Sequence, residues 1–449
     1  MGNTVHRDVY IHVQPISGSS QTLKAVTQLN PDALTMASEL DAARTNGTIR
    51  GPLHGIPILL KDSIATADKM GNTAGSYALV GAKVPEDSTV AAKLRKAGAI
   101  ILGKTNLSEW ANARSKNYTS GWSATGGQTE GAYYPRQDPS GSSSGSGVAS
   151  SLGLALASLG AETHGSILLP SDANNLVGIK PSVGLTSRYL VVPISQHQDT
   201  VGPMARTVKD AAYLLSAIVG PDPHDNYTST IPFSEDKVPD YVGACDYFAC
   251  AALASASRTL KKENLSFESI VMNTDFPRSL ASYFSQLTVN PHNMTSLKDV
   301  ERFTHSDERE EWATHDTLSW DRTFNVSSTT SEAEAWGNYT ALQHYAGEMG
   351  LFGALKNHSL DAMVLPTIFS VGLPAVLGSP VISVPMGKYP DDANKLKNGF
   401  GEERLIGLAY AFEQRTKVRE QVRPYLVPKT EVGDVIGIGM GVGGGKGGW

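Results

Sequence analysis

Apolar and polar positions follow two different rhythms along the first two hundred residues. Behind Asn30-Pro31-Asp32, the apolar positions Ala33, Met36, Ala37, Leu40 and Ala43 return every three or four residues until Gly47 breaks the series. That period places them on one helix face. Asn followed by Pro is a favoured entry, because the amide side chain accepts from a free backbone N–H and proline lacks the N–H that a first turn leaves unused. Gly55–Leu60 (GIPILL) is instead a short unbroken apolar run, the pattern of a strand covered on both faces. Asp87 or Ser88 then opens a second helical segment through Ala97, Gly98 closes it, and Ile100–Leu102 reads as another strand. Helices and strands alternating on this scale predict a layered α/β architecture.

Further along, Gly147–Ala157 is small and apolar all round, as expected of a helix buried on most faces. Thr207–Val219 reads as a helix, Ala362–Leu365 and Val381–Val384 as buried strands, and Glu402–Val418 as an amphipathic helix. Residues 225–358 are polar, rich in aromatic residues and without a motif, and residues 431–449 are rich in glycine. The expected organisation is a divergent segment 1–29, a main domain 30–430 in which 225–358 is the divergent substrate side, and a flexible tail 431–449. The tail misses the phosphate-loop pattern, with Met440 where the first glycine belongs and Gly447 after the lysine.

Composition narrows the picture slightly. With 40% apolar residues, 18% charged and a net charge of −6, the chain is an ordinary globular one with no electrostatic bias toward nucleic acid or an anionic membrane. No apolar run is long enough to span a bilayer. The two cysteines, Cys245 and Cys250, form neither a zinc framework nor a disulfide scaffold. The first residues lack the basic and apolar regions of a signal peptide. Against that stand nine Asn-x-Ser/Thr sequons, at Asn46, Asn106, Asn117, Asn226, Asn264, Asn293, Asn325, Asn338 and Asn357. Chance would give about three for this content of Asn, Ser and Thr; the excess fits a secretory relative and equally a Ser/Thr-rich chain that is never glycosylated, so the compartment stays open. Oligomeric state has no signal here.

The chemistry sits in three segments. Lys61 ends the GIPILL run; Gly141–Gly147 is a serine and glycine run (GSSSGSG); and Ala161–Pro170 (AETHGSILLP) carries Ser166. A serine hydroxyl is a weak nucleophile until a base takes its proton, and a lysine serves as that base once burial lowers its pKa from about 10.4 toward neutrality. On its own residues, Lys61 reads first as a strand-end lysine paired with Asp62. In this order, however, GPLHGIPILLKDS, SGSSSGSG and AETHGSILLP resemble the amidase signature family, in its stand-alone amidase form. LGKTNLSEWA (102–111), SGWSATGGQT (120–129) and DTVGPMARTVKDAAYLL (199–215) extend the resemblance over residues 30–220, with further patches at 360–387 and 402–419.

The resemblance implies an amidase-signature α/β fold: a mixed, twisted β-sheet covered by helices on both faces. It implies an amidase that hydrolyses a carboxylic amide to acid and amine or ammonia through an acyl-enzyme, with a small-molecule amide as substrate and neither cofactor nor metal. It puts the base at Lys61, a bridging serine at Ser142 behind a cis Gly141–Ser142 peptide bond, and the nucleophile at Ser166. Backbone N–H groups at Thr163, His164 and Gly165, with Ser143 beside them, would bind the oxyanion. Arg206 and Asp210 are implied to be structural.

Two other patterns carry less. Gly141–Gly145 matches the G-x-S-x-G nucleophile elbow, but that elbow follows a buried strand, and Tyr134–Pro139 (YPRQDP) reads as a loop. His164, His197 and His292 show no metal-ligand spacing on a helix. The chain also departs from the family. His164 stands where a small or acidic residue is usual, Glu162 where aspartate is, and Leu168 where many members carry arginine. An imidazole at 164 would narrow the pocket or compete with Ser142 for the Ser166 hydroxyl. After Val242 and after Pro385, segments that usually supply core strands are shortened or missing. These departures motivate a second reading, a catalytically impaired pseudo-amidase. A third is the A-type component of a glutamyl-tRNA amidotransferase, with protein and tRNA partners that the net charge does not favour.

Overall fold

The computed structural model describes residues 23–115, 119–234, 237–247, 266–357, 360, 362–364, 367–385, 402–417, 419 and 424. Strands β1 (Val26–Leu29), β2 (Pro57–Lys61), β3 (Ile100–Thr105), β6 (Ala157–Glu162), β7 (Val177–Lys180), β8 (Thr200–Ala205) and β9 (Val381–Ser383) form one seven-stranded sheet in the order β1-β3-β2-β6-β8-β7-β9. A small hairpin, β4 (Trp122–Ser123) and β5 (Gly127–Gln128), lies apart from it. The central strands β3, β2 and β6 are parallel, and β1, β8, β7 and β9 join antiparallel. The sheet is therefore mixed, as expected. β1 lies inside the stretch 1–29 that the sequence sets apart.

The strand period decides what each face meets. On β2, Ile58 and Leu60 join the core beneath the helices Thr89–Lys96 and Val208–Ile218, whereas Leu59 joins the opposite core with Val148 and Ala149 of the helix Ser144–Leu152. Lys61 continues the face of Leu59, toward that serine-rich helix. On β6, Ala157 and Leu159 belong to the first core, so Ser158, Gly160 and Glu162 share the face of Lys61.

Several expected elements shift. The first helix is Ala33–Thr45, because Asn30 closes a turn instead of capping: its Oδ1 accepts from Asp32 N and its Nδ2 donates to Ile101 O. The segment 147–157 is not one helix. The helix runs Ser144–Leu152, Gly153 closes it at φ 72°, and Ala157 already begins β6. Small apolar residues suit a buried strand as well as a buried helix, and their periodicity does not separate the two. Ala362–Val364 carry no strand; Leu365 lies outside the described residues. Val208–Ile218, Val381–Ser383 and Glu402–Thr416 fall where expected, the first capped by Thr207 Oγ1, which accepts from Asp210 N. The glycine-rich tail and Cys250 lie outside the described residues.

The described part of 225–358 is largely helical: Ser266–Ser285, Leu297–Ser306, Leu318–Thr329 and Glu332–Ala346 are helices. Phe276, Leu280, Tyr283, Leu297, Val300 and Trp320 close a second apolar core against Trp110, Val192 and Ile194. Trp320 is fully buried and meets Trp110 edge-on, with ring centroids 6.5 Å apart. Trp320→Ala is expected to cost about 3–5 kcal/mol in unfolding free energy. The check is the urea midpoint at unchanged m-value; a loss under about 1 kcal/mol would show that this layer is not tied to the core as described.

Candidate active site

Lys61 is the last residue of β2, 1% exposed, and donates from Nζ to Ser142 Oγ at 2.7 Å and to Ala161 O at 2.8 Å. Its pairing with Asp62 does not occur, for the reason that neighbouring strand positions point to opposite faces. Asp62 instead accepts from Thr73 N at 3.2 Å and from the Thr73 hydroxyl, with Lys104 as its opposing charge. Burial drives the Lys61 ammonium down to about 7, while the anions Glu162 and Asp199 pull it back up. A lysine in that range exchanges its proton near neutral pH.

Ser142 follows a cis Gly141–Ser142 peptide and is fully buried. Its carbonyl accepts from Ser108 N at 3.0 Å. The glycines of the run let backbones meet: a Cβ at Gly145 would stand 2.2 Å from Ala25 O and 2.6 Å from Asn106 N. Bends, a turn and irregular backbone, and no strand, fill residues 131–143 before the helix at Ser144, so the elbow pattern at Gly141–Gly145 is coincidental, as its sequence context suggests.

Ser166 lies on the turn between β6 and the short helix Leu168–Ala173, and its carbonyl accepts from Ser143 N at 3.2 Å, which joins the two serine segments. Gly165 adopts φ 79°, where a Cβ would press to 2.7 Å from Leu169 Cδ1. Glu162 fastens the turn. Its Oε1 accepts from Gly165 N at 2.8 Å, and its Oε2 from Ile167 N at 2.6 Å and Leu168 N at 3.0 Å. The substitution for aspartate noted in the sequence is thus a side chain that threads three N–H groups. Two of the expected oxyanion residues, Gly165 and Ser143, already spend their N–H groups on Glu162 and on the Ser166 carbonyl. Thr163 points its hydroxyl to Asp199 Oδ1 at 2.5 Å, and His164 is half-buried beside it.

A small cavity of about 30 Å³ opens next to Lys61, lined among others by Ser63, Thr163, Arg188, Pro193, Ile194 and Asp199. Sequence reading gave no role to Asp199, although it begins the DTVGPMAR segment. His197 is paired through Nδ1 with Asp275 at 2.7 Å, and His292 packs on Phe303. Among the described residues no group of three His, Cys, Asp or Glu could hold a metal, and no helix is long and apolar enough to cross a membrane. Cys245 is buried and forms no disulfide among the described residues.

Known proteins place this architecture in a class. A family model described as Amidase matches residues 12–245. A protein of Arthroderma benhamiae that carries the name amidase is 46% identical over 486 aligned positions, which take in 95% of this chain and 82% of that one. That alignment is longer than this chain, so the relative carries segments without a counterpart here. The native peptide amidase of Stenotrophomonas maltophilia superposes with a TM-score of 0.79 at 33% identity, covering 95% of each chain. A glutamyl-tRNA(Gln) amidotransferase component of Salinispora arenicola is 38% identical over 253 residues, 56% of this chain and 49% of its own. The fold and these matches define an amide hydrolase. The chain belongs to the amidase family, in its amidase-signature form.

Proposed function

We propose that the chain hydrolyses a linear carboxylic amide with Ser166 as nucleophile, Ser142 as proton bridge and Lys61 as base. The observation that carries this reading is the buried Lys61 Nζ–Ser142 Oγ contact of 2.7 Å, one residue from the Ser143 N–Ser166 O link. Neutral Lys61 takes the Ser142 proton as Ser142 takes that of Ser166. The freed Ser166 oxygen attacks the carbonyl carbon, and backbone N–H groups of the turn other than those of Gly165, Ile167 and Leu168, which Glu162 holds, receive the developing oxyanion. Collapse breaks the C–N bond, and the proton held by Lys61 returns through Ser142 to the departing nitrogen. Water, activated by the same pair, then hydrolyses the ester between the acyl group and Ser166, releasing the acid and restoring the hydroxyl. Among amides, similarity to a peptide amidase over nearly the whole chain supports peptide amides as the class to assay first.

Ser142→Ala tests the bridge. It removes one hydroxyl and leaves Lys61 Nζ its bond to Ala161 O, so the site keeps its frame. The expected outcome is a loss of about 100- to 10,000-fold in kcat with little change in KM, measured by ammonia release. A fall of less than about threefold would remove Ser142 from the mechanism. The impaired-copy reading predicts no turnover in the unmodified chain, and the same assay decides it. The tRNA-amidotransferase reading is the weaker one, since the S. arenicola match covers about half of this chain and the A. benhamiae match nearly all of it.

A further inference from the structure

Asp199 closes the cavity beside Lys61, and the sheet register puts it there. β6 and β8 pair antiparallel with Glu162 opposite Thr200, so the residues just beyond, Thr163 and Asp199, also meet across the strands. Asp199 Oδ1 accepts from Thr163 Oγ1 at 2.5 Å. Its Oδ2 accepts from Ile194 N at 2.8 Å and Ser195 N at 3.0 Å, drawing the 193–199 loop over the site. The far side of that loop is fixed separately, because Asp275 Oδ2 accepts from Ser195 Oγ at 2.5 Å and pairs with His197. In the same cavity, Ser63 Oγ is buried with no partner among the described residues, and the space is large enough for one water molecule.

We propose that Asp199 is a positioning residue of the amide-hydrolysing site: its buried carboxylate tethers Thr163 at the head of the nucleophile turn and adds, beside Glu162, to the negative charge against which Lys61 exchanges its proton. This rests on the reading of Lys61 and Ser166 given above.

The charged groups around Lys61 divide the work. Glu162 is an anion from β6 whose oxygens are committed to three backbone N–H groups of the turn. Arg188 lines the cavity but is held by Asp225 through Nε at 2.8 Å and Nη2 at 2.6 Å. Asp199 is the anion that holds the Thr163 hydroxyl and the 193–199 loop together. Burial pushes its carboxyl up to about 6, close to the value of about 7 for Lys61, so the two groups titrate over adjoining ranges and influence each other.

The test needs no known substrate. The rate at which a fluorophosphonate modifies Ser166 is followed against pH in the full chain, in Asp199→Asn and in Thr163→Val. The unmodified chain is expected to show an acid limb near neutrality, since protonated Lys61 cannot act as base. Loss of the Asp199 charge makes the Lys61 proton leave more easily, so the limb in Asp199→Asn moves to lower pH by on the order of one unit. Thr163→Val removes the hydroxyl that holds the carboxylate ionised and shifts the limb the same way by less, which keeps the test open if Asp199→Asn does not fold. An unshifted limb in whichever of these variants is folded overturns the role of Asp199. Labelling that persists in Lys61→Met overturns the reading of the site itself, and that outcome is distinct from an unshifted limb.

Discussion

Ser166→Ala is expected to reduce amide turnover at least about 10,000-fold, to the background of the assay, while the protein stays folded. Removing one oxygen deletes the atom proposed to attack the carbonyl and nothing that shapes the turn. The bonds that fix the turn run from Gly165, Ile167 and Leu168 to the Glu162 carboxylate, and the Ser166 carbonyl still accepts from Ser143 N. The thermal midpoint is therefore expected to change by no more than about 2–3 °C, in keeping with a substitution that costs well under 1 kcal/mol. Ammonia release by purified variant and the melting curve check both halves. Retention of more than about a tenth of the activity would remove Ser166 from the chemistry.

Lys61→Met carries the second large effect, in rate and in stability. Without a base the Ser142–Ser166 hydroxyls have no acceptor for their proton, and turnover is expected to fall by about 1,000- to 100,000-fold. Methionine fills much of the same volume, so the apolar strand end is kept. The stability effect follows from linkage. Lys61 holds its proton up to about pH 7 in the folded chain against 10.5 for an unperturbed lysine. Between those limits the unfolded chain binds the extra proton, so this residue makes stability rise with pH through that window and leaves it flat below. The full penalty, present below about pH 7, is roughly 5 kcal/mol. Lys61→Met removes it, so the variant is expected to be more stable than the parent at pH 6 and to lose much of the parent's gain between pH 7 and 10. Denaturant unfolding at pH 6 and pH 9.5 measures this, and parallel curves for the two proteins would mean that folding does not lower the Lys61 pKa.

Part of this site is legible in the sequence because its residues act through local pattern. The GIPILL run predicts a buried strand, a lysine at its end must then lose water, and the serine and glycine run predicts close backbone packing. The choice of partner for Lys61 was not legible from neighbours. Asp62 adjoins it in sequence, but the pleat sends the two side chains apart, and the bond to Ser142 depends on which sheet face the Ser144–Leu152 helix covers. Glu162 and Asp199 were missed as organisers for a related reason. A carboxylate that gathers backbone N–H groups leaves no periodic trace, and only the β6–β8 register brings Asp199 to Thr163.

The same limits apply to the fold. Ala155–Ala157 suits helix and strand alike, and Gly153 was the one break that could have divided them. In residues 266–285, Phe276, Leu280, Tyr283 and Phe284 carry a helical period, but Pro277 sits among them and argues against a helix when read alone. Of the nine sequons, Asn106 is fully buried and bound through Nδ2 to Gly127 O and Thr129 Oγ1, so that one reflects structure and not modification.

The measurement that tests the central claim most directly is intact mass after treatment of the purified chain with a fluorophosphonate, followed by peptide mapping. The predicted result is one adduct, on Ser166, formed in the unmodified chain and absent in Lys61→Met. An adduct on another serine, or none on soluble and folded protein, would contradict it.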